Sequence, residues 1–365
     1  MKPLFKSPLL LLSLITLFGA IARIWFFWKD GLHVDEKYTL DLVQHNLSYV
    51  IQFSLNNDCN PPLFYAIDWI SVHMLGVSTF AERLPSVIFG ILLIPASYLF
   101  GKEFQGETLG LLSALAVATL GSLWYYSQFG RAYMLCCLLF VVFCIYYVRL
   151  IRGDTTHIDN WLAVVVCGAL LAYAHLFAII PLAVLFVCLV VSYKWQAIKW
   201  AVLTFIVSSP LLLLFKAMLD WRIVTRGTQS WGEQWYGAPF NQLVIFAPLE
   251  FFSYNFVFWI PMIVYSVYKN YRMKEVSTII VASMVSFVVL LAVCNTTPVF
   301  LRYLLLLVPV LLSIGLMPVA DLIDSEDHSL AQKAFIVGSF GIFYFSVVAY
   351  CFLSGLYQPK GEIVI

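Results

Sequence analysis

Apolar stretches long enough to cross a bilayer recur along the whole of this 365-residue chain, and they exclude most folds before any motif is read. A spanning helix needs about 20 predominantly apolar residues. Candidate spans lie at 8–28, 84–101, 107–126, 132–150, 160–174, 176–193, 197–215, 246–267, 276–294, 302–320 and 334–356. The expected fold is therefore an all-α polytopic membrane protein of about eleven transmembrane helices, one transmembrane domain over 1–365 with no soluble domain. Composition agrees: 62% of residues are hydrophobic and 11% charged, against roughly 45–50% and 25% in a soluble domain. The net charge of +1 argues against a nucleic-acid partner, which requires a basic surface.

Two further segments are apolar but interrupted. In 61–76, Leu63, Ile67, Ile70 and Met74 form one stripe at helical spacing while Asp68 and His73 break the run. In 38–51, Leu40, Val43, Leu47 and Val50 share a face and Asp41, Gln44 and Ser48 fall elsewhere. Both read as amphipathic juxtamembrane helices lying in the interface. With 61–76 outside the count and the N-terminus inside, the cytoplasmic loops collect Lys102, Arg149, Arg152, Lys194, Lys199, Lys269, Arg272, Lys274 and Lys333, as the positive-inside tendency requires. The first span opens like a signal peptide, with Lys2 and Lys6, but runs on through Trp25 to Trp28 without a small-residue cleavage site, so an uncleaved anchor is expected. The C-terminus is expected outside. Cys136, Cys137, Cys144, Cys167, Cys188, Cys294 and Cys351 fall within or at the ends of spans with no CxxC pair, and read as packing residues. Only Cys59 lies in a polar loop.

This topology turns the first outer loop (29–83), the 127–131 and 295–302 turns, the turn at His175 and the 216–245 loop toward one extracytoplasmic compartment. The polar residues gathered there are the candidates for chemistry. Asp35-Glu36 reads either as a hydrated acidic cap opening the next helix or as a general base at the membrane edge, where apolar neighbours raise carboxylate basicity. Adjacent helical acids diverge, so one of the two is expected to act. Arg131 and Arg302 each open a span beside a tyrosine, Tyr133 and Tyr303. Either arginine can snorkel to headgroups or present its guanidinium fork to a lipid-linked phosphate, and two on one face favour phosphate. Arg83 is a candidate helper. Asp58 and Asn60 stand in front of a Pro-Pro helix start and can orient a ligand, whereas His175 alone is a weak signal. Arg222 and Trp231 belong to a loop whose aromatics serve as interfacial anchors or sugar-stacking faces. No zinc-ligand spacing, P-loop, dinucleotide fingerprint or nucleophile elbow is present. A divalent cation on Asp35 with Glu36 or Asp58 is the less favoured arrangement, and no metal or other cofactor is expected.

The order of segments resembles a known family. A first span, a DE loop, NPPLFYAIDW, ERLPSVIFGILLIPASYLFGKEF, YYSQFGRAYML and a late RYLLLLVP are similar to the GT-C integral-membrane glycosyltransferases, nearest the PMT-like and aminoarabinose transferase-like branch. The likeness covers about 20–190 and returns at 300–310. It implies a polyprenyl-phosphate-linked sugar donor, an acceptor hydroxyl on a lipid, glycan or protein, and inverting transfer on the outer face of the plasma (inner) membrane. By the same resemblance Asp35 matches the loop-one catalytic acid with Glu36 as partner. Arg131 with Tyr133 matches the Arg-x-Tyr segment, and Arg302 with Tyr303 matches the arginine that meets donor phosphate. Asn60 departs from the histidine that many relatives carry before the prolines. The short 321–365 segment leaves acceptor recognition to loops such as 216–245. A transporter or flippase of a lipid-linked anion is the alternative, set back by the clustering of ionisable groups on one face and by the lack of internal repeats; a non-catalytic assembly subunit is weaker still.

Overall fold

The computed structural model describes residues 7–25, 27, 31–58, 60–211, 247–248, 251–293, 301–327 and scattered positions from 329 to 346. Every regular element among them is helical. In chain order these are α1 (Pro8–Ile24), α2 (Val34–Val43), α3 (Leu47–Asn57), α4 (Pro62–Leu75), α5 (Thr79–Gln105), α6 (Glu107–Thr119), α7 (Gly121–Ser127), α8 (Tyr133–Ile151), α9 (Ile158–Ala174), α10 (Ile179–Tyr193), α11 (Trp195–Ser208), α12 (Phe256–Asn270), α13 (Lys274–Val293) and α14 (Val308–Asp324). Short 3₁₀ segments at Leu176–Ala178 and Leu301–Leu307 lead into α10 and α14. Among the described residues, five helices are long and apolar enough to cross a membrane, and the bent pair α6–α7 makes a sixth; α1 and α9 are apolar but shorter, at 17 residues each.

The core is the hairpin α5–α6 with α8 laid against it, flanked by α1, α9 and α14. Small residues let the hairpin close. A Cβ on Gly101 would stand 2.7 Å from the Leu109 carbonyl oxygen, and one on Gly110 would stand 2.7 Å from that of Tyr98. Between bilayer helices, where lipid is as apolar as leucine, such backbone approach supplies the packing. At Gly106, φ of +102° turns the chain from α5 into α6, a conformation that a Cβ would strain. Cys136, Cys137, Cys144 and Cys167 are free and buried, as packing residues should be.

The bundle has two polar ends. At the end where α5 finishes and α8 finishes, Arg149 bonds Glu103, Arg152 bonds Glu275 and Lys269 bonds Asp321. The other end, 27 residues of α5 away, which is about 40 Å of helix, carries α2–α4 and the starts of α5 and α8.

Two expectations need correction. The 38–51 helix is two helices, α2 and α3, broken at 44–46 because the Asn46 side chain accepts the Tyr49 N–H at 2.9 Å and restarts the helix. The expected apolar face survives the break: Leu40, Val43 and Val50 are buried against Tyr65 and Val72 of α4. The 107–126 span is likewise not continuous. It bends by 62° at Leu120, whose ψ of 125° is extended.

Candidate active site at the α2–α4 end of the bundle

α2 begins with a capping box in which histidine takes the place usually held by serine or threonine. His33 Nδ1 accepts the Asp35 N–H at 3.1 Å, while Glu36 Oε2 accepts the His33 N–H at 2.8 Å. That cap fixes the first turn and sends its two acids in different directions.

Glu36 points inward and is fully buried. Besides His33 it accepts hydrogen bonds from Arg83 Nε (2.7 Å), Arg83 Nη2 (2.8 Å) and the Gly130 N–H (2.8 Å). Arg83 also donates to the carbonyls of Phe27 (3.0 Å) and Gly31 (3.1 Å). The partner acid and the helper arginine of the sequence reading are therefore engaged with each other. This bidentate buried pair ties α2 to α5, to the carbonyls of Phe27 and Gly31 and to the turn before α8.

Asp35 points the other way and is 33% exposed. Its Oδ2 accepts Arg302 Nη2 at 3.0 Å, a contact across 267 residues of sequence. Arg131 Nη1 donates to Thr39 Oγ1 at 2.9 Å and lies 3.4 Å from the Asp35 carbonyl oxygen. The Arg302 guanidinium lies over the Tyr133 ring, 5.9 Å from its centre. Tyr303 and Tyr133 flank His175 with centroid separations of 4.7 and 6.1 Å. Asp35, Arg131, Tyr133, His175, Arg302 and Tyr303 thus form one constellation.

Asp58 and Asn60 approach from the α3–α4 turn. Asp58 Oδ1 accepts the Asn60 N–H and side-chain amide at 3.3 and 3.1 Å, and Oδ2 accepts the Tyr65 hydroxyl at 2.7 Å. A small open cavity runs from Asn60 and Tyr65 past Arg131 and Tyr133 to His175. Burial, reinforced by the charges of Arg131 and Arg302, pushes the His175 imidazole down to about 3, so it is neutral at physiological pH. A neutral imidazole beside two guanidinium groups can hydrogen-bond a ligand without adding charge.

Arg222 and Trp231, with the rest of the 216–245 loop, lie outside the described residues. Two contributors, Thr39 and Tyr65, and the pairing of two acids escaped the sequence reading. Thr39, one turn after Asp35, holds Arg131, and the i, i+4 spacing was the available signal. Tyr65 holds Asp58 from within the quoted NPPLFY segment. Asp68 on α4 and Glu82 on α5 form a buried carboxyl pair whose oxygens accept no hydrogen bond from any described N–H or hydroxyl. Among the described residues, no three His, Cys, Asp or Glu side chains converge as a metal site.

No protein-family model and no curated protein matches the sequence. Solved structures do match in fold. The oligosaccharyltransferase of Archaeoglobus fulgidus in its apo form superposes with a TM-score of 0.63 at 14% identity, over 95% of this chain and 56% of that one. AglB from the same archaeon, in complex with an inhibitory peptide and a dolichol-phosphate, gives 0.60 at 14% identity, over 94% and 55%. ArnT from Cupriavidus metallidurans bound to undecaprenyl phosphate gives 0.61 at 13% identity, over 93% and 65%. The chain spans between half and two thirds of the length of these proteins. On this evidence the chain has the fold of the GT-C integral-membrane glycosyltransferases.

Proposed function

We propose that the protein transfers a sugar from a polyprenyl-phosphate-linked donor to an acceptor hydroxyl at the extracytoplasmic face of the plasma (inner) membrane, within a bundle of eleven spans. The observation that carries this reading is the 3.0 Å contact of Asp35 with Arg302, with Arg131 bound one helical turn away at Thr39. A carboxylate and two guanidinium groups are what an SN2-like glycosyl transfer from a lipid phosphate requires. The donor phosphate engages Arg302 and Arg131 and draws Arg302 from Asp35. The freed carboxylate takes the acceptor's hydroxyl proton as the oxygen attacks the anomeric carbon, and the bond from that carbon to the phosphate oxygen breaks. Polyprenyl phosphate leaves with its growing charge met by fixed cations in a low-dielectric groove, where they act far more strongly than in water. Attack opposite the leaving phosphate inverts the anomeric centre. Tyr133, Tyr303 and His175 form the wall of the groove, and Asp58 and Asn60 its polar rim. The dolichol-phosphate bound by AglB and the undecaprenyl phosphate bound by ArnT support a lipid-phosphate donor of the same kind.

Asp35→Asn keeps the shape and removes the base. It is expected to abolish transfer, read as loss of one sugar increment by mass spectrometry of membrane lipids and glycans, while the purified variant melts like the parent. Near-normal turnover in that variant removes the mechanism.

A further inference from the structure

Arg23 is completely buried among apolar helices, near the end of α1. Among the described residues the guanidinium meets oxygens only, and none of them is a carboxylate. Nη2 donates to the Val117 carbonyl at 2.9 Å, and Nη1 to those of Gly19 at 3.1 Å and Ala118 at 3.4 Å. Nε donates to Ser127 Oγ at 3.1 Å. Two of these oxygens belong to the last turn of α6, which the bend at Leu120 deprives of the amides that would follow in a continuous helix. A helix C-terminus carries a partial negative charge, and a cation there satisfies the dipole and the Val117 carbonyl while sharing that of Ala118 with the Trp124 indole N–H. The broken span and the buried arginine therefore explain each other.

The same residue reaches beyond the break. The Gln128 side-chain amide donates to the Arg23 carbonyl at 2.9 Å. Ser127, held by Nε, ends α7, and two residues on from Gln128 the Gly130 N–H is bonded to Glu36. Space for the arrangement is built into the neighbouring helices: a Cβ on Gly19 or on Gly90 would stand 3.2 Å from the Arg23 guanidinium, and one on Gly90 would also overlap Ser127. The segment that delivers Arg131 is anchored at one end by Arg23 and at the other by Glu36.

We infer that Arg23 is a positioning residue for donor binding: by locking the α6–α7 break and Gln128 it sets where Arg131 stands relative to Asp35 and Thr39. The inference rests on the role proposed for Arg131. Undecaprenyl phosphate serves as the probe lipid for the full chain in nanodiscs. Arg23→Gln is expected to weaken its binding roughly tenfold or more, and Arg23→Lys, which keeps a cation at the carbonyls, by less. Arg131→Lys is expected to weaken binding as well. The Arg23→Gln/Arg131→Lys double variant should bind no worse than the poorer single variant, because both act through one contact; a general loss of packing would instead multiply the two defects. Hydrogen exchange supplies a readout independent of function: the amides of Gly130 and Arg131 should exchange faster in Arg23→Gln and return toward the parent rate in Arg23→Lys. Unchanged exchange in a folded Arg23→Gln overturns the inference, as do multiplicative binding losses. Faster exchange with Arg131→Lys binding the probe normally leaves Arg23 as an anchor of the segment and removes the phosphate role of Arg131 instead. If Arg23→Gln does not fold, Ser127→Ala removes one of the guanidinium contacts and keeps the charge. It is expected to raise exchange at Gly130 and Arg131 by a smaller factor, and no rise overturns the inference.

Discussion

Replacing Glu36 by glutamine removes one charge from a pair that is almost wholly buried, with side-chain exposures of 8% for Arg83 and 0% for Glu36. The amide of glutamine is isosteric with the carboxylate, so the cavity does not change. What changes is donor–acceptor matching: both carboxylate oxygens of Glu36 accept two hydrogen bonds each, and all the donors are fixed. An NH₂ group in one of those places faces donors with a donor and leaves Arg83 an uncompensated buried cation. Breaking one side of such a pair costs about 3–5 kcal/mol. With roughly 2 °C of melting shift per kcal/mol in a chain this large, Glu36→Gln should melt about 6–10 °C below the parent. Arg83→Met should do comparable damage by stranding the carboxylate. The Glu36→Gln/Arg83→Met double variant should recover part of the loss, because no unpaired charge remains, and a coupling of about 2 kcal/mol or more is expected from the cycle. Apparent melting temperatures at one heating rate in one detergent, followed by tryptophan fluorescence, supply all four corners. A Glu36→Gln protein that melts with the parent, or a double variant at the sum of the single losses, would refute the claim that this pair holds the site together rather than taking part in the chemistry.

Two further outcomes follow from buried groups around the same turn. Burial, with the charge of Glu36 adding to it, raises the Asp68 carboxyl well above its ordinary 3.8. Folding therefore takes up a proton there, so the stabilisation it gives is complete below the unfolded value and is lost as pH rises from about 3.8 toward neutrality. The melting temperature of the parent should fall between about pH 4.5 and about pH 7.5, and Asp68→Asn should reduce that slope, its partner Glu82 keeping the remainder; an unchanged slope excludes Asp68 as a source. Gly90→Ala should push Ser127 off Arg23 at an overpacking cost of about 1–3 kcal/mol, read as a lower melting temperature, and a variant as stable as the parent would show the cradle to be slack.

The sequence-legible part of this molecule is what periodicity and charge placement carry. Asp35, Arg131 and Arg302 could be assigned to one face because spans of known length set which loops share a side, and the structure brings those three together. Two apolar helices in the first outer loop were readable from their stripes, but not the joint between α2 and α3, since His45 and Asn46 interrupt a face that resumes in register. The bend at Leu120 was illegible for a different reason. Thr119, Gly121 and Ser122 flank it inside a long apolar run and are too weak a signal to end a span, and what stabilises the break is Arg23, which is 94 residues away from Val117 along the chain. Arg83 and Arg131 look alike as sequence, each an arginine at the start of a span. Only the location of Glu36 separates the one that holds the fold from the one that is left to face the groove.

That separation follows from helix geometry at the DE pair. Successive residues on an α-helix project about 100° apart, so a cap that aims Glu36 at the bundle must turn Asp35 toward its edge. The buried acid collects a guanidinium and two backbone amides and becomes a fixed joint between three helices. The neighbouring acid is held at a constant position by that joint while keeping a partly exposed carboxylate and a partner, Arg302, that a phosphate can draw away. In the proposed transfer, orientation and reactivity thereby fall to adjacent residues that a single-acid site would have to combine in one side chain. A carboxylate tied down by four donors could not take a proton, and one with no anchored neighbour would not stay within reach of Arg131 and Arg302. Moving the acids apart by one position would undo that division: an inserted alanine between Asp35 and Glu36 rotates Asp35 by about another 100° relative to the joint. It should cost transfer more than stability, since Glu36 keeps Arg83 and Gly130 and gives up only its capping-box bond to the His33 N–H. An insertion variant that still transfers sugar would mean that the placement of Asp35 by its neighbour is not what the site depends on.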